Sequence, residues 1–145
     1  MLTSLKEFFT NQVHLQPLND RQKHMACAAL MVEVAAIDEH FDSREFAVLT
    51  QHLQQQFNLP ADELDELATL AKQERHDSHS LYQFTRLVND HCSQDDKFEL
   101  LKGMWKVARA DGQIDKYEEY IIRKVSELIH VSHSEFIRAK HRSQA

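Results

Sequence analysis

Apolar residues recur at helical spacing along almost the whole chain. Leu2, Leu5, Phe8, Phe9 and Val13 predict a short amphipathic helix over about residues 1–15, closed off before Pro17 because the residue ahead of a proline is driven out of the helical region. Asn19 or Asp20 can cap a second helix that carries Met25, Ala28, Ala29, Val32, Ala35 and Ala36 on one broad face. Phe46, Leu49, Leu53 and Phe57 mark a third helix, which stops at Asn58-Leu59-Pro60. Leu64, Leu67, Ala68 and Ala71 mark a fourth, running to about Arg75. After a polar break at His76-Asp77-Ser78-His79-Ser80, Leu81, Phe84, Leu87, Val88 and Cys92 predict a fifth. Ser93-Gln94-Asp95-Asp96 opens a sixth helix bearing Phe98, Leu101, Met104, Trp105 and Ala108. It stops at Asp111-Gly112, where glycine offers a left-handed turn. Tyr117, Tyr120, Ile121, Val125 and Leu128 line a seventh. His130-Val131-Ser132 introduces a last helix with Phe136 and Ile137, whose end at Arg138, Lys140, His141 and Arg142 complements a helix C-terminus. The aromatic and aliphatic stripes, Trp105 included, read as core.

Composition supports the same picture. Only two glycines and two prolines occur in 145 residues, too few turn residues for a many-stranded β fold. The expectation is all-α, a single compact domain of seven to eight helices spanning residues 1–145, with no disulfide or metal needed to hold it. A chain of this length buries roughly two-thirds of its unfolded surface. The net charge of −6 disfavours nucleic acid and suits hard cations or basic partner surfaces. Cys27 and Cys92 have no zinc-like spacing and read as buried free thiols in a reducing compartment. No leader pattern and no run of about 18 apolar residues appears, so a cytoplasmic protein without membrane insertion is expected.

The chain uses one stretch twice. Val34-Ala35-Ala36-Ile37-Asp38-Glu39-His40-Phe41-Asp42-Ser43-Arg44-Glu45 is answered by Val107-Ala108-Arg109-Ala110-Asp111-Gly112-Gln113-Ile114-Asp115-Lys116-Tyr117-Glu118. Asp38, Asp42 and Glu45 match Asp111, Asp115 and Glu118. With one residue dropped, Phe57-Asn58-Leu59-Pro60 then faces Ile129-His130-Val131-Ser132. Two pseudo-repeated helical halves follow, the first at about 20–75 and the second at about 93–142.

Two explanations cover the repeated acids. Asp42-Ser-Arg-Glu45 and Asp115-Lys-Tyr-Glu118 fit a capping box, in which the Asp accepts from first-turn amides and the Glu reaches back, stabilising each helix by about 1 kcal/mol. Capping leaves Asp38 and Asp111 unexplained, because each closes a helix whose dipole disfavours an anion there. Carboxylates four and seven positions apart around a tight turn can instead converge on a hard cation such as calcium or magnesium. The spacing is not that of an EF-hand. If the two hairpins pack about a pseudo-two-fold axis, six carboxylates could share one face. A basic partner docking on that face is the remaining reading.

At these residues the chain resembles the TerB family, the tellurite-resistance-associated helical domains also found beside J-domains in some chaperones. The likeness covers about residues 20 to 142. It is carried by two helix-Asp-turn-Asp-x-x-Glu-helix units, the second reading Ala110-Asp111-Gly112-Gln113-Ile114-Asp115-Lys116-Tyr117-Glu118. The first departs from the pattern with Glu39 in place of Gly and Phe41 at the apolar position. The stand-alone branch of the family is the better match. The resemblance implies a compact all-α fold, a divalent-cation site at the matched acids, and a role in stress response through protein complexes, membrane-associated ones among them.

Other chemistries find less support. Glu127-Leu-Ile-His130 has no second copy and so lacks the set a di-iron bundle needs. The pairs His76 with His79 and His130 with His133, and the loop residue His40, read as solvated polar positions. No nucleophile elbow or phosphate loop occurs. The reading is a non-enzymatic, cation-binding interaction module with Asp38, Asp42, Glu45, Asp111, Asp115 and Glu118 as ligands. The alternatives are a metal-independent scaffold with these acids as caps and docking face, and a metal-dependent hydrolase.

Overall fold

A computed structural model describes residues 20–37, 43–63, 65, 69, 78–110 and 112–144. The helix expected over 1–15 lies outside these residues, as do Asp38, Asp42 and Asp111. The described residues form helices α1 (Asp20–Ile37), α2 (Ser43–Phe57), α3 (Ser78–His91), α4 (Gln94–Ala108), α5 (Lys116–Leu128) and α6 (His133–Arg142). Residues 61–63, 65 and 69 are helical as well, and no strand occurs among the described residues. The all-α expectation is met.

Helix α1 is the axis of the fold. Every residue from Met25 to Ala35 is buried, not one face of the helix as its pattern suggested. The reason is that α2, α3, α4 and α5 all pack on it, and a helix apolar all round is a core helix. Its small residues Ala26, Ala28, Ala29 and Ala35 let those neighbours approach. Helix α4, its counterpart in the second copy of the repeat, packs in turn on α1, α2, α5 and α6. The two first helices of the repeat thus form the centre, and the two second helices, α2 and α5, flank them.

Local chemistry sets the helix ends. Ser93 and Asp96 form a reciprocal capping box at α4, with Asp96 N–H donating to Ser93 Oγ at 3.1 Å and Ser93 N–H to Asp96 Oδ2 at 3.0 Å. Ser132 Oγ caps α6 by accepting from Glu135 N–H at 3.3 Å. Helices α2 and α5 end alike: Asn58 and His130, which the repeat aligns, both adopt positive φ, at 53° and 62°. Left-handed backbone at a non-glycine residue is uncommon, so its recurrence at matched positions supports a shared hairpin plan.

Trp105 locks α4 to α6. It is fully buried, its ring centroid lies 5.1 Å from that of Phe136, and its indole N–H donates to Phe136 O at 3.2 Å. Arg109 closes the end of α6, donating from Nη2 to Lys140 O at 3.2 Å and from Nη1 to Ser143 Oγ. One stripe differs from expectation. Tyr117 and Tyr120 are 49% and 43% exposed, because the inward face of α5 is Glu118, Ile121, Ile122 and Val125. The tyrosines flank that face and remain partly exposed.

Candidate functional site between α2 and α5

The second acidic turn opens α5. Asp115 takes extended backbone at φ −75° and ψ 126° and caps the helix, its Oδ1 accepting from Tyr117 N–H at 2.8 Å and Glu118 N–H at 3.1 Å. Half of the capping expectation is therefore met. The Glu118 carboxylate has a different destination from the one a capping box predicts. It is 2% exposed, and Oε1 and Oε2 lie 2.9 and 3.1 Å from His52 Nδ1. A carboxylate removed from water needs such a partner.

His52 comes from α2, three residues after Leu49 and beside Leu53, on the face that packs inward. Helices α2 and α5 do not pack closely backbone to backbone. The His52–Glu118 contact ties the middle of α2 to the first turn of α5. Beside it is a pocket of about 160 Å³ lined by Arg44, Glu45 and Val48 from α2 and by Asp115, Tyr117 and Glu118. Such a volume holds several waters.

Three of the six acids singled out by the repeat, Glu45, Asp115 and Glu118, therefore line one pocket although up to 73 positions separate them (118 − 45). The other three, Asp38, Asp42 and Asp111, lie outside the described residues. Among the described residues no group of three or more His, Cys, Asp or Glu is close enough to hold a metal ion. The donors that line the pocket are oxygens, the type that hard cations select. One Asp115 oxygen is committed to backbone amides and Glu118 to His52.

Sequence reasoning missed His52. The available signal was an imidazole seven residues beyond Glu45, within the Leu49–Leu53 stripe where every other inward residue is apolar. A second buried carboxylate, Glu33 in α1, is wholly enclosed and was missed as well. Glu127 and His130 of the Glu-x-x-His are both exposed, and His130 supplies the left-handed residue that ends α5.

Residues 24–141 match the family model described as tellurite resistance protein TerB, 118 of the 145 residues (141 − 24 + 1). The chain belongs to the TerB family. Among curated proteins and solved structures nothing matches. The TerB match runs from the first turns of α1 to the last turn of α6 and takes in both acidic stretches of the sequence, His52 and the residues that line the pocket.

Proposed function

We propose that this TerB domain is a non-enzymatic interaction module of the cytoplasm in which the two acidic turns jointly take a divalent cation, calcium or magnesium. One observation carries the reading: Glu45 from one copy of the turn and Asp115 and Glu118 from the other line the same pocket. Capping accounts for Asp115 Oδ1 alone. It gives no reason for Glu45 to face the opposite turn or for the Glu118 carboxylate to be held beside it. The described carboxylates do not complete a ligand set by themselves. The cation would draw its remaining ligands from Asp38, Asp42 and Asp111 and from water, which magnesium in particular retains. Binding would fasten the two hairpins to one another, and the family's link to stress response suggests that this sets the affinity for a protein partner in a complex. No step of covalent chemistry is required.

A second reading keeps the fold and drops the ion. Asp115 is a sound helix cap as it stands, so the acids could serve as caps and as a face for a basic partner.

The test is thermal melting of chelator-treated protein with and without millimolar calcium, magnesium or manganese, for the wild type and for Glu45→Gln/Asp115→Asn. Asn caps a helix as well as Asp does, so the double variant should fold. A cation at 100 times its dissociation constant adds about 2.7 kcal/mol, a rise of roughly 8 °C for a domain of this size. A rise that the variant abolishes supports the cation site. Absence of any rise leaves the scaffold reading.

A further inference from the structure

The outward side of α5 carries Lys116, Tyr117, Tyr120, Arg123 and Lys124, all exposed. At about 100° per residue they share an arc of roughly 120°, and from Lys116 to Lys124 the face runs about 12 Å along the helix. The acids of the same two turns point elsewhere: Glu118 is buried, and Glu119 pairs with Lys140 of α6 at 3.9 Å. Glu127, also exposed, stands about one turn beyond Lys124, past the end of the face.

On the neighbouring helices Lys102 and Arg138 each hold a glutamate, Glu99 at 3.3 Å and Glu135 at 2.7 Å. Lys116, Arg123 and Lys124 make no ion pair among the described residues. Aromatic rings steady two of them instead. Lys124 Nζ lies 5.7 Å from the Tyr120 ring centroid, and Arg123 Cζ lies 5.9 Å from that of Phe136. The face is an exception in an acidic molecule. Residues 1–96 hold 7 basic and 16 acidic side chains, a net charge of −9 (7 − 16), and residues 97–145 hold 10 and 7, a net charge of +3 (10 − 7).

We propose that the Lys116–Lys124 face of α5 docks a short acidic segment of a partner protein. Its carboxylates meet Lys116, Arg123 and Lys124, and an apolar side chain lies across Tyr117 and Tyr120. Tyrosine and arginine are the residue types that dominate binding at interfaces, and charged heads already steadied by rings lose less freedom when they pair. The class of partner follows from size and charge. Nucleic acid or an anionic bilayer extends well beyond 12 Å and would press its charge against the rest of an acidic surface, whereas charges farther off than a Debye length of about 8 Å are screened from a short segment. The inference rests on the interaction-module reading and needs no ion in the pocket.

The experiment follows the fluorescence anisotropy of a labelled peptide of about twelve residues, long enough to cover the face as a helix. The peptide is glutamate with leucine at every third or fourth position, and the buffer holds chelator at physiological salt. Wild type should bind it. Lys116→Gln/Arg123→Gln/Lys124→Gln should bind about tenfold more weakly, three exposed ion pairs being lost, and Tyr120→Ala should weaken binding as well. Arg86→Gln/Lys102→Gln/Lys106→Gln removes the same charge from α3 and α4 and should stay within about twofold of wild type. Melting temperatures check that each variant is folded. Equal losses in the two triple variants, no binding up to millimolar peptide, or binding of single-stranded DNA or phosphatidylserine vesicles in preference to the peptide would overturn the proposal. Because the titration is run in chelator, its failure leaves the cation melts standing, and failure of the cation melts leaves the titration standing.

Discussion

Replacing His52 by alanine tests whether the two halves are joined through the buried pair. The side chains of His52 and Glu118 are 6% and 3% exposed. Although Nδ1 approaches both carboxylate oxygens, it carries one proton at most, so the contact counts as one shared bond. A hydrogen bond to a charged group contributes about 1.5–3 kcal/mol. Removing the imidazole leaves the Glu118 carboxyl buried without that partner, which costs about 3–5 kcal/mol where the group left behind is charged. Glu118 has further interactions of its own, which places the expectation at the low end, about 3 kcal/mol. For a domain of this size that is a fall of roughly 9 °C in melting temperature. The assay is urea unfolding followed by Trp105 fluorescence, which reports the α4–α6 core rather than the site. His52→Leu/Glu118→Leu should recover most of the loss, since replacing both partners by apolar groups can be nearly neutral. A His52→Ala protein within about 0.5 kcal/mol of wild type, the range of a surface substitution, would refute the argument.

Other expectations follow from single contacts. At Gly103 an added Cβ would lie 2.6 Å from Phe57 Cε1, and that ring is stacked on His24 at 4.8 Å. For Gly103→Ala, overpacking of about 1–3 kcal/mol should outweigh the roughly 1 kcal/mol gained in helix propensity. The variant should therefore melt lower, and Phe57→Leu in the same chain should relieve it. The Ser93 amide holds the Asp96 carboxyl below its ordinary value against the opposing effect of burial, with further help from Lys23. A depressed folded value contributes stability that is complete above the unfolded value, about 3.9, and is lost as pH falls through the folded one. The urea midpoint of Asp96→Asn should accordingly fall less than that of wild type below about pH 4.

Much of this protein was determined along the chain itself. The helices with described bounds follow from apolar spacing, and their ends from Ser93, Ser132 and Asp115, because helix formation and capping depend on residues a few positions apart. The likeness of the two acidic stretches was legible too, and with it Glu45, Asp115 and Glu118 as candidate site residues. Only the tertiary structure decided what these residues meet. A helical period tells which face is apolar and not which helix will cover it, so neither the all-round burial of α1 nor the exposure of Tyr117 and Tyr120 could be read in advance. The same limit hid His52. A polar residue in an apolar stripe stays ambiguous until its partner is known, and that partner, Glu118, lies 66 residues away on a helix brought near by packing against the shared core of α1 and α4.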